Sequence, residues 1–123
     1  MPATSEGDAR EALDALPPFL PLPDPLNATP EWEGPIGRTY RLAGREHDAL
    51  PFLSRAANAC AQLAEPFEQT AASLDLGLAL ESVGSPAAAC DAYRVVVRRW
   101  GRAPASLTAA SARTHLKALR CAE

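Results

Sequence analysis

Two stretches of this chain repeat each other, and the repeat restricts the fold more than any single residue does. Superposing Ile36-Gly37 on Leu76-Gly77 brings Gly44 onto Gly84, Ala49 onto Ala89, Leu53 onto Tyr93 and Ala56 onto Val96, with Tyr40 on Leu80, a spacing of 40 residues. Each copy reads as a helix holding a small residue for close packing, a glycine that ends it, and a second helix lined with larger apolar groups. That is a helical hairpin, present twice. One hairpin cannot bury its apolar faces alone, so copies stack, and a stack presents one extended surface to something else. The pattern points to an all-α binding scaffold and does not name what is bound.

The flanking segments fit around the hairpins. Ser5 to Leu16 carries Ala9, Ala12, Leu13 and Leu16 at helical spacing behind acidic residues suited to a helix N-terminus. Pro17 and Pro18 end that helix, and the proline-rich run to Pro30 predicts an extended arm, with Phe19, Leu20, Leu22 and Leu26 too apolar to be left in water. Thr29 is placed to cap the next helix, which runs to Ala43 and either kinks at Pro35 or begins its regular part there. Glu46, His47 and Asp48 open the following helix, with Pro51 assigned to its first turn, where amides lack intrahelical partners. Ala49, Leu53, Ala56, Ala57 and Cys60 form its buried stripe. The second hairpin opens at Glu65-Pro66 with a helix apolar nearly all round, and its partner, Pro86 to Trp100, puts Ala89, Tyr93, Val96, Val97 and Trp100 on one face. Ser106 is placed to cap a last helix with Ala109, Ala112, Leu116 and Leu119 inward.

Aromatics make up only 6% of the chain, so its core must be built from closely approaching, alanine-rich helices. No apolar run is long enough to cross a membrane and the start is polar and acidic, so no membrane insertion and a cytoplasmic location are expected. The formal net charge is −3, but residues before Arg94 sum to −9 and those from Arg94 onward to +6. One reading is that bases suit helix C-termini and face acidic neighbours. The other is a basic end surface, Arg94, Arg98, Arg99, Arg102, Arg113, Lys117 and Arg120, that attracts an acidic partner. Nucleic acid is not expected, given the acidic total, the few aromatics for base stacking and the absence of a nucleic-acid-binding signature.

Chemistry-bearing patterns are thin. His47 and His115 lie beside no Cys or carboxylate at ligand spacing, which predicts surface histidines and no metal. No nucleophile elbow supports a triad from Ser54, His47 and Asp48. Glu65, Glu68, Asp75 and Glu81 read as a solvated or ion-paired stripe along one helix. The odd set Cys60, Cys90 and Cys121 forms no CxxC pattern and reads as three small buried hydrophobes in a reducing compartment. If a bond forms, helix directions keep Cys60 from Cys90 and bring Cys121 near Cys90. No catalytic residue and no cofactor are expected.

Over about residues 30 to 101, Gly37, Tyr40, Gly44, Ala49, Leu53 and Ala56, with Gly77, Leu80, Gly84, Ala89, Tyr93 and Val96, resemble the tetratricopeptide repeats. Small-to-small spacings within each copy match that family, whereas the 40-residue period exceeds the usual length of about 34. The run from Gly37 to Cys121, with Arg-Leu-Ala-Gly-Arg, Asp-Ala-Leu-Pro-Phe-Leu, Ala-Cys-Asp-Ala-Tyr and Arg-Arg-Trp-Gly, also looks like the C-terminal extension of large bacterial serine/threonine protein kinases. None of a kinase's own motifs occurs here. The resemblance implies an all-α, right-handed stack of two tetratricopeptide-like hairpins, residues 29–63 and 65–101, with a capping helix at 106–121 closing a domain of residues 29–123. An N-terminal helix and proline-rich arm occupy residues 1–28.

The function implied is non-catalytic protein or peptide binding, as a docking or regulatory module of a larger bacterial signalling protein. In the family the inner surface comes from the first helix of each hairpin, which maps onto Arg38, Arg41 and Leu42 in one copy and Leu74, Leu78, Glu81 and Ser82 in the other. The family's best-known variant clamps a peptide C-terminal carboxylate with Lys and Asn. Gly34 and Arg38 stand at those places in the first copy, so that activity is not implied. The two arginines suit an acidic peptide, or else pair with Glu31, Glu33 or Glu81. One alternative is self-association as a homodimer, since two repeats are fewer than the three or so usually needed. Another is a small enzyme or ligand carrier, which requires a deep polar pocket.

Overall fold

The structure is a computed structural model and describes residues 4–15, 30–58 and 66–122. Those residues form six α-helices and no strand: α1 (Glu6–Ala15), α2 (Pro30–Leu42), α3 (Glu46–Asn58), α4 (Pro66–Ser82), α5 (Pro86–Trp100) and α6 (Leu107–Ala118). The expectations for the proline-rich arm and for Cys60 fall outside the described residues.

Each helix packs on the next, and α2 and α4 also touch α4 and α6 respectively, so first helices line up behind one another. The two hairpin turns are the same object. Gly44 N donates to Arg41 O at 3.0 Å and Arg45 N to Tyr40 O at 2.9 Å, while Gly84 N donates to Glu81 O at 3.2 Å and Ser85 N to Leu80 O at 2.8 Å. These are paired bonds of a Schellman motif, whose C′ residue must be left-handed, and Gly44 and Gly84 have φ of 77° and 80°. A third such turn ends α6: Arg120 N donates to Lys117 O and Cys121 N to Leu116 O, and there the left-handed residue is Arg120, with φ of 53°.

The interior glycines do the other job expected of them. A Cβ on Gly37 would stand 2.6 Å from Leu53 Cγ, and one on Gly77 would stand 2.4 Å from Tyr93 Cε1. Only a bare backbone lets α2 meet α3 and α4 meet α5 at these points. Ala49, Leu53 and Ala79 form one core cluster, and Ala89, Tyr93, Val96 and Ala112 the next, with Leu74, Leu78 and Leu116 packed against it. A third cluster joins Ala9 and Leu13 of α1 to Ala43, with Tyr40 and Leu42 leaning on it. Arg55 of α3 reaches the fully buried Glu33 of α2, a contact that ties the start of one helix to the end of the other.

Of the two expectations for α2, a start at Pro35 is excluded, since the helix runs from Pro30 with Pro35 inside it. Two other local expectations are corrected. Pro51 lies in the second turn of α3, not the first: Ala49 N already donates to Arg45 O, so an amide at position 51 would have had His47 O as its partner. That carbonyl belongs to an exposed residue, so water can satisfy it. Finally, α4 is not apolar all round. It buries Gln69, Thr70, Ser73 and Asp75 among its alanines, while Phe67 is exposed. Small polar side chains there allow close approach, and they find local acceptors, as Ser73 Oγ does in donating to Gln69 O at 3.0 Å.

Candidate functional site

The expected inner-face residues come from α2 and α4, and the two polar ones that face the next first helix, Arg41 and Glu81, are already engaged. Arg41 Nε and Nη2 donate to Asp75 Oδ1 at 3.1 and 2.8 Å, and both side chains are largely buried. The partner of Arg41 is Asp75, not Glu33 or Glu81, and Asp75 takes the ion-paired form of the expected solvated or ion-paired stripe. Glu81 Oε2 accepts from Tyr93 Oη at 2.7 Å and lies 2.8 Å from His115 Nδ1. The His115 ring stacks on Tyr93 with centroids 5.1 Å apart, so His115 is a packed, half-buried residue and only His47 is exposed. Arg41 and Glu81 are equivalent positions of the repeat, and each reaches the next first helix in line, Arg41 to α4 and Glu81 to α6. Leu42 leans on the α1 cluster, and Leu74 and Leu78 lean on the Tyr93 cluster. Arg38 and Ser82 remain exposed, and Gly34 is buried against Ala56 and Ala72.

Burial pushes the Asp75 carboxyl above its ordinary 3.8, and the guanidiniums of Arg41 and Arg38 pull against that rise. Burial, followed by the neighbouring Glu81, likewise raises the Tyr93 hydroxyl, which stays protonated and serves as a donor. Because the folded state holds the Asp75 proton more tightly than the unfolded chain does, its contribution to stability is complete below the unfolded pKa. It is lost as pH rises through the raised folded value. Urea denaturation at stepped pH should show wild-type stability falling relative to Asp75→Asn across the window just above 3.8. A rise across that window would show that the Arg41 pair outweighs burial.

The basic surface is divided by the fold. A groove of about 770 Å³ runs between α5 and α6, and Arg94, Arg98, Arg113, Lys117 and Arg120 line it together with Val97, Leu116, Cys121 and Ala122. Arg99 faces away, into a smaller polar hollow of about 300 Å³ with Gln69, Ser73 and Asp91. Arg102 sits exposed in the turn after α5. Two of the five groove cations are tied to the backbone: Arg94 to Ala122 O, as well as to Asp91 at 2.8 Å, and Arg113 to Gly101 O. Arg98, Lys117 and Arg120 are exposed and have no ion-pair partner among the described residues.

One edge of the groove is held by a disulfide, Cys90–Cys121, with Cα atoms 5.9 Å apart. This corrects the reading of both as free buried thiols and agrees with the geometric argument that, if any pair bonds, it is this one. Bonds of this kind persist in oxidising surroundings, which counts against the reducing compartment expected from cysteine number.

No family model, curated protein or solved structure matches this chain. Among the described residues no helix is long and apolar enough to cross a membrane.

Proposed function

We propose that this chain is a tetratricopeptide-like stack whose role is non-catalytic binding of a protein or peptide, as a docking module within a bacterial signalling protein. The supporting observation is the repetition of the whole local apparatus at one spacing. The Schellman turn at Gly44 recurs at Gly84, and the glycine-to-side-chain contact of Gly37 on Leu53 recurs as Gly77 on Tyr93. The spacing in each case is 40 residues. Repetition of this type builds length and surface instead of a single enclosed centre. The likeness to kinase extensions supplies the signalling context and rests on the sequence motifs alone.

Selection of a random peptide display library on the immobilised, disulfide-intact chain tests the reading. The expected result is enrichment of sequences that share a pattern and bind saturably when made as free peptides. A library that yields no saturable binder would sink it.

Self-association is the second reading, and a specific patch favours it. Phe67 is 71% and Leu107 85% exposed, and they share an apolar hollow with Trp100, whose ring centroid lies 5.5 Å from that of Phe67. If this patch pairs two copies, light scattering will show mass rising with concentration in the wild type and a monomer for Leu107→Asp.

A further inference from the structure

The α5/α6 groove combines three features that a solvated basic face lacks. It is concave, its floor is aliphatic at Val97 and Leu116, and none of the described residues lining it is acidic. Its cations come from both walls: Arg94 and Arg98 from α5, Arg113 and Lys117 from α6, and Arg120 from the turn that ends α6. None of the lining residues is aromatic, so the groove offers no platform for nucleic-acid bases.

Arg120 adds an independent observation. It occupies the left-handed position of the third Schellman turn, where the two earlier turns use glycine. A side chain there strains the backbone relative to glycine, and no turn geometry requires an arginine. What the arginine provides is a cation at the groove's edge, next to a cysteine whose disulfide holds that turn against α5. Residues kept in sparsely populated conformations cluster at functional sites.

We infer that the α5/α6 groove docks an acidic peptide segment bearing a bulky aliphatic side chain. The peptide's carboxylates meet Arg98, Lys117 and Arg120, and its aliphatic group lies on Val97 and Leu116. The inference rests on the peptide-binding reading and gives it a site and a ligand class distinct from the inner face of α2 and α4. Charge complementarity selects the occupant: three exposed cations on two walls, without ion-pair partners among the described residues, suit several carboxylates, and the aliphatic floor adds the anchor that a purely acidic chain would lack.

Fluorescence anisotropy with the full chain tests it, using a labelled glutamate-rich peptide with a central leucine and the same peptide with glutamate in place of that leucine. The leucine peptide is expected to bind, more weakly as salt rises, and the all-glutamate peptide several-fold more weakly. Arg98→Glu with Lys117→Glu is expected to lower affinity about tenfold or more. Arg120→Gly separates binding from folding: it should raise the melting temperature by a few degrees and yet weaken the peptide about threefold. Unchanged affinity in the double charge reversal overturns the inference, as does equal competition by an oligonucleotide or an anionic vesicle, which would mark an unselective cationic face. If library-selected peptides bind and neither variant disturbs them, the groove fails and the peptide-binding reading stands. If the wild type binds no peptide from either source, both fail.

Discussion

Gly77→Ala is expected to destabilise the fold by about 2 kcal/mol, although alanine is the better helix former by about 1 kcal/mol. The new methyl would stand 2.4, 2.7 and 2.9 Å from three carbons of the Tyr93 ring. That ring cannot swing aside cheaply: it is fully buried, its hydroxyl donates to Glu81 at 2.7 Å, and His115 stacks on it. So α4 and α5 must separate, and the cluster of Ala89, Val96 and Ala112 loosens with them. Gly44→Ala is the contrasting case. Nothing lies within 4 Å of its added carbon, so its cost is only the left-handed backbone, about 1 kcal/mol. Urea denaturation distinguishes the two mechanisms when Tyr93→Ala is added. The Gly77 penalty should then largely vanish, a coupling of about 1 kcal/mol or more, while the Gly44 penalty should persist. Additive Gly77 and Tyr93 effects would show that the contact is not what demands glycine.

Removing the Cys90–Cys121 bond is expected to cost more, about 3.5 kcal/mol by loop-closure entropy for a separation of 31 residues. The bond joins the second turn of α5 to Cys121, just past the turn that ends α6, so without it the last helix is held by the Ser106 cap, by packing of Leu116 and Leu119, and by His115 on Glu81. Reductant should lower the denaturation midpoint of the wild type to that of Cys90→Ala/Cys121→Ala and leave the variant unmoved. Peptide mapping of unreduced protein should recover Cys90 linked to Cys121. A wild-type midpoint indifferent to reductant would show that the thiols are not joined in solution.

The glycines were readable in advance because what they satisfy is local. A helix end that needs positive φ, or a helix face that needs close approach, leaves its mark on one residue type at one offset, and two copies at the same offset reinforce each other. The cap at Ser106 is of the same kind: Ala109 N donates to its hydroxyl at 3.1 Å, within one turn. The opening of α3 at Glu46 is equally local and is found where the sequence places it, but Pro51 is the sixth residue of that helix and so lies past the first amides, which lack intrahelical partners.

The polar pairings were not readable. Arg41 and Asp75, like Glu81 and His115, lie 34 residues apart and meet only because α2, α4 and α6 align in one register. Before that register is known, Arg41 reads equally as free or paired, Asp75 as solvated or ion-paired, and His115 as a surface residue. The charge imbalance toward the C-terminus is plain in the chain, but composition cannot say that Arg98, Lys117 and Arg120 share a groove while Arg99 faces another way. By itself, then, the chain determined its helices, their ends and the points where they must touch closely, because those depend on near neighbours. Which charges are neutralised and which stay exposed was decided only by the packing of α5 against α6 and of the first helices in line. The strength of an ion pair depends on distance and burial, and neither exists until the helices are placed.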